Sequence, residues 1–374
     1  MTVLIYFYYE YKTRDGWELI LDMKSFLSFI FHWSTWLFIL ILAVIAFFSE
    51  KITEPLKTSQ ASILPTNPFP AEKIQYDPEI HLLFVGDISL QERGHSLGMD
   101  AFKGVQDLLS SADLVVGNLE SPLTNTNMTA YSKGKWGGSV YLKGDPSRTK
   151  LLKDAGFDLM CLGNNHIGDY RMQGIQDTLI ALKSNGLAGC GAGMNLEEAC
   201  QPAFFVIKGR QIAFYAFCDV EPKSYRATVN QPGLAPARLG LIRKTISSQP
   251  VEVFVVVMFH WGVEMRHALD FRQEMLARTA IEAGADLVIG HHPHVVQKVS
   301  YIKGVPVAYS LGNFLFDTNQ SAGELGMALL VTLIPSSNDL KLEIVPITNR
   351  NLHTQLALGK EAQRVLSRAV ITTR

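Results

Sequence analysis

The chain has 374 residues, with 34 lysines and arginines against 35 aspartates and glutamates and a formal net charge of −1. That length supports one large α/β domain, or two small ones, with a sizeable core. Near-neutral charge excludes a nucleic-acid surface spread over the molecule, so an anionic partner has to be met by a local patch.

Residues 1–24 precede an uncharged run over 25–49, "SFLSFIFHWSTWLFILILAVIAFFS", bounded by Lys24 and by Glu50 and Lys51. About 20 apolar residues in a helix cross the hydrocarbon core, and this run supplies them. It is longer than the roughly 7 to 15 apolar residues of a cleavable signal peptide and lacks a small-residue cleavage site. One uncleaved transmembrane helix is therefore expected. Lys12, Arg14 and Lys24 on one side, against Lys51 and Lys57 on the other, lean towards a cytoplasmic N-terminus. The expected arrangement is a single-pass protein of the cell membrane with its main domain extracellular. Met23 followed by Lys24 would itself make a start for such an anchor, leaving residues 1–22 as an extension.

Residues 50–79 carry Pro55, Pro65, Pro68, Pro70 and Pro78 with no helical or alternating period, the mark of a semi-extended tether. From residue 80 to 374, short apolar β-branched runs alternate with helical segments such as 171–186 and 269–284, the second closed by Gly284. This pattern is α/β. Two further stretches, "AFFVIKGRQIAFYAFC" and "GMALLVTLIPSSNDLKLEIVPIT", read as antiparallel hairpins flanking a mixed sheet. Cys161, Cys190, Cys200 and Cys218 show no CxxC spacing; Cys190 and Cys200 either pair or pack as free thiols.

Polar side chains recur where the apolar strands end. Asp87 follows "LLFVG", Asn118 and Glu120 lie at "DLVVGNLE", and Asn164, Asn165 and His166 follow "LMCLG". His260 ends "VFVVVMFH", and His291, His292 and His294 follow "DLVIG". Taken singly, each has a plain structural explanation as a turn, a helix cap or a hydrogen-bonded core histidine. Five strand tips that all carry metal-competent side chains point instead to one crevice, since ligands bind at the carboxyl ends of strands in α/β sheets. Carboxylate, amide oxygen and imidazole suit a borderline divalent ion (Mn, Zn, Fe or Ni, one or two of them), and the lack of thiolate argues against a closed structural zinc site. If residues 291–294 continue in extended geometry, His292 and His294 share one face as ligands and His291 lies on the other, with Pro293 holding the pair. On that register His292→Ala loses metal and His291→Ala keeps it. The loop "YSKGKWGG", with Lys133, Lys135 and Trp136, reads as a solvated loop or an anion contact.

The segments "GDISL", "ADLVVGNLESPLT", "LGNNHIGDY", "MFHWGVEM", "GHHPHVVQ" and "YSLGNFLFD" resemble, in order and spacing, the CapA family of capsule-synthesis proteins linked to poly-γ-glutamate. The resemblance covers roughly residues 80–320 and implies a fold similar to the metallophosphoesterases, a four-layer α/β/β/α sandwich. It implies Asp87 as the first metal-binding aspartate, and Asn118 or Glu120 in place of the bridging carboxylate. Asn165, as a metal ligand, and His166 match the Asn-His pair, His260 the next ligand, and His292 and His294 the last two. His166 then acts as general acid or transition-state stabiliser, with Asn164, His291, Glu264 and Asn313 supporting or lining the cleft. Two departures stand out: Ser89 occupies the place of a histidine ligand, and "GNLE" replaces the bridging aspartate.

The resemblance further implies a role in synthesis, export or attachment of an anionic γ-glutamyl polymer by metal-assisted hydrolysis or transfer, with the membrane and small membrane synthase subunits as partners. The alternatives are a metallophosphoesterase acting on a phosphate ester and a non-catalytic polymer-binding subunit.

Overall fold

The computed structural model describes residues 8–13, 16–21, 78–91, 97–130, 140–317 and 321–370. The chain divides into two compact units, Met1–Ile74 and Gln75–Arg374. In the first, Tyr8–Thr13 and Gly16–Leu21 pair as an antiparallel hairpin. The expected anchor over 25–49, the tether up to residue 77 and the loop over 131–138 lie outside the described residues. Among the described residues no helix is long and apolar enough to cross a membrane.

The second unit is mixed α/β, as its sequence pattern implies. In one sheet Ile80–Ile88, Leu114–Leu119, Leu159–Cys161 and Ala188–Cys190 run parallel. Leu325–Ile334, Asp339–Arg350 and His353–Leu356 extend it antiparallel, and Asn313–Leu315 lies along the end of Ile80–Ile88. In the other sheet Arg210–Cys218, Phe254–His260, Leu287–His291 and Val305–Ala308 are parallel, with Ala203–Ile207 and Val299–Ile302 antiparallel at its two edges.

Successive strand residues face opposite ways, and both faces are buried. Leu82, Phe84 and Val116 of the first sheet meet Phe214, Val256, Met258 and Ile289 of the second in one apolar cluster. On the outer face of the first sheet, Leu83, Val85 and Val115 pack with Leu152 and Leu182 from the helices Thr149–Ala155 and Arg171–Ser184. On the outer face of the second, Tyr215, Val255 and Val257 pack with Ile242 and Leu276 from Leu239–Ile246 and Phe271–Glu282. The order of layers is therefore helix, sheet, sheet, helix. Each fully buried side chain of this size contributes about 1.5–3 kcal/mol, and two-sided burial accounts for the unbroken apolar runs in the sequence.

Local chemistry sets the element ends. Helix Phe271–Glu282 opens with a capping box, in which Asp270 Oδ1 accepts from Gln273 N at 2.8 Å and Gln273 Oε1 accepts from Asp270 N at 3.1 Å. It closes before Gly284, whose φ is +114°. The hairpin of Ala203–Ile207 and Arg210–Cys218 turns at Lys208 and Gly209, both at positive φ, the conformation that matches strand twist in a two-residue turn. All four cysteines are free thiols, so Cys190 and Cys200 do not pair.

Gly86 is required by a close backbone crossing. A Cβ there would lie 1.9 Å from the Gly312 carbonyl oxygen. That same oxygen accepts from Asp87 N at 2.9 Å, which fixes the strand end carrying Asp87 beside Asn313. Gly86→Ala is expected to cost about 1–3 kcal/mol, the range for overpacking a tight site. Chemical unfolding of the two proteins measures it, and an unchanged midpoint would show that the crossing yields freely.

Candidate metal centre

The parallel strands of both sheets deliver their polar tips to one end. Asp87 is level with Asn118, Asn118 with Cys161 just before Asn164, and His260 with His291. Glu120 lies one residue beyond the Leu114–Leu119 strand, held by its backbone N–H to the Ile88 carbonyl at 2.8 Å.

The centre is built around the Glu120 carboxylate. Its Oε1 is 3.6 Å from His294 Nε2, 3.8 Å from His260 Nε2 and 3.8 Å from His166 Nε2. These gaps exceed a hydrogen bond. Two ligand atoms, each about 2.0–2.2 Å from a tetrahedral ion, stand about 3.4 Å apart, so the spacing fits donors arranged round a cation. Two buried or nearly buried sets bring their ligand atoms within 4.8 Å and share Glu120: Glu120 with His260 and His292, and Asp87 with Glu120 and His294. A third set joins the exposed Glu264 to His292 and His294 at the mouth.

Two orphaned atoms support the same fit. His291 Nδ1 and Asn118 Oδ1 are buried with no hydrogen-bond partner. Each such atom costs about 1–3 kcal/mol unless something satisfies it. The donor set of carboxylate and imidazole suits a borderline divalent ion, and its residues would be Asp87, Glu120, His260, His292 and His294.

Charges here are strongly coupled. Burial pushes the Asp87 carboxyl up, but the His291 and His294 imidazoles beside it outweigh burial and hold the group well below its usual range. Burial, with His292 adding positive charge nearby, pushes His260 well below the usual imidazole value, towards the neutral form that binds metal. His294 goes the other way: burial lowers it, but the Glu120 and Asp87 carboxylates raise it from 6.5 to about 10.

Without metal, His294 is thus protonated at neutral pH. Its raised value adds stability that is complete below 6.5 and lost as pH rises through about 10. The depressed Asp87 adds stability that is present above 3.8 and lost as pH falls through its folded value. A metal must displace the proton on Nε2, so affinity should rise with pH towards 10. Calorimetry of Zn or Mn binding in buffers of different ionisation enthalpy is expected to read about one proton released per ion. Zero release would contradict the assignment of His294.

The opening of the His291–His294 segment departs from the extended geometry expected of it. The Leu287–His291 strand ends at His291, and His292 and His294 adopt φ of +96° and +57°. Asp87 turns the chain: its Oδ2 accepts from His292 N at 3.3 Å, while the Pro293 carbonyl accepts from Met265 N at 2.8 Å. Pro293 does exclude the right-handed helical region for His292, but this carboxylate and loop select the left-handed side instead of extended backbone. Strain of about 1–3 kcal/mol per residue of this kind is typical of a site whose surroundings hold it.

Because the chain curls, all three histidines converge. His292 Nδ1 is 3.1 Å from His260 Nε2 and His294 Nδ1 is 3.2 Å from Asp87 Oδ2. His291 is not turned away: its Nδ1 is 3.4 Å from Asp87 Oδ1. The face-alternation separating it from the other two therefore fails.

Asn165, expected as a ligand, has its Oδ1 2.9 Å from His260 Nε2, the atom that faces Glu120. The other expected residues support the ligands. Asn118 Nδ2 donates to Asp87 Oδ1 at 2.8 Å. Asn313 Oδ1 lies 2.8 Å from His294 Nδ1, fixing that proton and turning Nε2 towards Glu120. Asn164 is structural: its side chain donates to the Leu119 carbonyl at 2.8 Å and accepts from His166 N and Ile167 N, closing the turn that presents His166. Ser89 stands at the expected histidine position, and its Oγ accepts from Gln91 N at 3.3 Å.

Two residues escaped the sequence reading. Asp169 Oδ2 bonds His166 Nδ1 at 2.8 Å, and Asp169 Oδ1 accepts from Tyr225 Oη at 3.1 Å. Asp169 lies three residues after His166 inside the quoted "NNHIGDY", so spacing offered a signal. Tyr225 comes from another loop, and nothing local marked it.

The profile described as bacterial capsule synthesis protein PGA_cap matches residues 81–318, the stretch that holds every residue of this centre. The chain belongs to that family. Among its relatives, the PGA biosynthesis protein CapA of Bacillus subtilis (strain 168) is 33% identical over 286 residues, covering 74% of each chain. The capsule biosynthesis protein CapA of Bacillus anthracis is 32% identical over 285 residues, covering 74% of this chain and 69% of its own. Among solved structures, the NAD nucleotidase of Haemophilus influenzae aligns with a TM-score of 0.43 at 13% identity, over 79% of this chain and 57% of that one. For this PGA_cap member, roles therefore rest on its own geometry and on the family match.

Proposed function

We propose that this PGA_cap protein is a single-pass membrane protein whose extracellular domain acts on an anionic γ-glutamyl polymer during its synthesis, export or attachment. The reaction proposed is metal-assisted hydrolysis or transfer at an amide bond, in a domain of metallophosphoesterase-like architecture. The observation that carries this reading is the Glu120 carboxylate ringed by His166, His260 and His294 at 3.6–3.8 Å. The polymer comes from the PGA_cap family match and from the Bacillus subtilis relative, a PGA biosynthesis protein.

A divalent ion bound there supplies Lewis acidity towards a carbonyl oxygen. The chain's own residues do the rest. His166 has Nδ1 tied to Asp169, so Nε2 is the atom facing the centre, placed to give a proton to a departing amine. Asn118 and Asn313 keep Asp87 and His294 in position. Exposed Glu264 marks the entrance. Small membrane subunits of a synthase are the proposed protein partners.

The test uses the full chain in detergent, loaded with Mn or Zn, with γ-linked polyglutamate and a generic phosphodiester as substrates. A shift in polymer length that disappears in His166→Ala is the expected result. Turnover of the phosphodiester alone would favour a phosphoesterase, and a chain that takes up no metal would leave only a binding subunit. Protease added to intact cells should cut the domain beyond residue 80, and protection would reverse the orientation.

A further inference from the structure

Away from the metal centre, a cavity of about 490 Å³ opens where the edge strand Val299–Ile302 meets helix Phe271–Glu282. Its lining includes Glu274, Arg278, Lys298, Ser300, Lys303 and Tyr309. Lys303 is held by Glu282 at 3.0 Å. Among the described residues, neither Arg278 nor Lys298 forms an ion pair, so the cavity carries two cationic groups against the carboxylate of Glu274.

The wall behind them is firm. Tyr309 is buried, stacked on Trp261 with ring centroids 5.8 Å apart, and its carbonyl accepts from Trp261 Nε1 at 2.8 Å. Lys298 Nζ stands 5.8 Å from the Tyr309 ring centroid, an arrangement that orders a long cationic side chain. Tyr309 follows Ala308, which pairs with Ile289, so it is level with Gly290, one residue before His291. The edge strand lies two strand spacings, about 10 Å, from the strand that ends in His291.

The mixture of charges selects the ligand. Arg278 and Lys298 attract anions, while Glu274 repels a compact, fully anionic group such as phosphate and accepts N–H from an amide. A chain bearing both carboxylates and amide N–H groups satisfies all three. We propose that this cavity is a second subsite that grips a carboxylate-bearing polyamide, a stretch of γ-glutamyl chain away from the bond being acted on. It rests on the polymer reading above and adds to it a grip that raises affinity for long chains.

The probe is a synthetic γ-linked oligoglutamate titrated into the full chain in detergent. In the double variant Lys298→Glu with Arg278→Glu, affinity is expected to fall at least about tenfold, with bound metal unchanged and no competition from inorganic phosphate. If that variant has a lowered thermal transition, Lys298→Gln with Arg278→Gln reads the same loss without new charge. Unchanged affinity in the variants, or no binding by the unaltered chain, overturns the subsite. Competition by inorganic phosphate overturns the carboxylate assignment. The polymer reading fails by a separate result, the absence of any polymer-length shift with the unaltered, metal-loaded chain.

Discussion

Glu120→Gln is expected to strip the centre of metal and abolish turnover. Glu120 is shared by two of the three ligand sets, and its Oε1 is the atom that three imidazoles surround. Glutamine keeps the shape but removes the charge and offers an N–H₂ group where a cation should sit. Affinity for Mn or Zn should fall by more than about 100-fold, beyond the 10- to 100-fold typical of groups that only support ligands. Turnover should fall by on the order of 10³-fold or more, since metal charge stabilisation is worth several kcal/mol. The fold should survive, because the Glu120 backbone bond to Ile88 and the apolar layers beneath it are untouched. Metal content by mass spectrometry, beside a thermal unfolding scan, separates the two effects. A variant that keeps its metal would move the centre elsewhere.

His166→Ala is expected to give the opposite split, with metal retained and turnover lost by about 10²–10⁴-fold, the usual contribution of a placed acid or base. His166 Nε2 faces Glu120 from 3.8 Å, while all three ligand sets close without it. Asp169→Asn should cost less, about 10- to 100-fold, because the imidazole remains but its tautomer and orientation are no longer held. The pH–rate profile distinguishes this from simple damage to the fold: loss of His166 removes one limb of the profile, whereas loss of Asp169 shifts it. Loss of metal in His166→Ala would make it a ligand instead of an acid.

Much of the site was legible because strand tips in an α/β fold are local in sequence. An apolar run followed by Gly and a polar residue marks where a strand stops, and the topology then brings these stops together. Asp87, Glu120, Asn165, His260, His292 and His294 were found that way, and all meet at one end. The hairpins were legible from their turns, and the pairing of strands 203–207 with 210–218 followed the polar Lys-Gly step.

What escaped depended on contacts between distant segments. The path of residues 291–294 is set by Asp87, 205 residues away from His292, and by Met265. A local rule about proline could exclude one backbone region but could not choose between the two that remained. His291 was assigned to the wrong face for the same reason, though it lies buried beside Asp87 as a supporting residue would. Tyr225 reaches Asp169 across 56 residues, with no spacing to reveal it. Asn313 had a plain reading as part of a turn, and only its 2.8 Å approach to His294 shows what it orients.

The most direct test of the metal centre is anomalous X-ray scattering from crystals of the protein grown with Mn or Zn, measured at the absorption edge of the metal. The expected peak lies among Glu120 Oε1, His260 Nε2 and the His292 imidazole, with a second, if present, between Asp87, Glu120 and His294. No peak there at saturating metal, with His294 still seated beside Asp87 and Glu120, would contradict it.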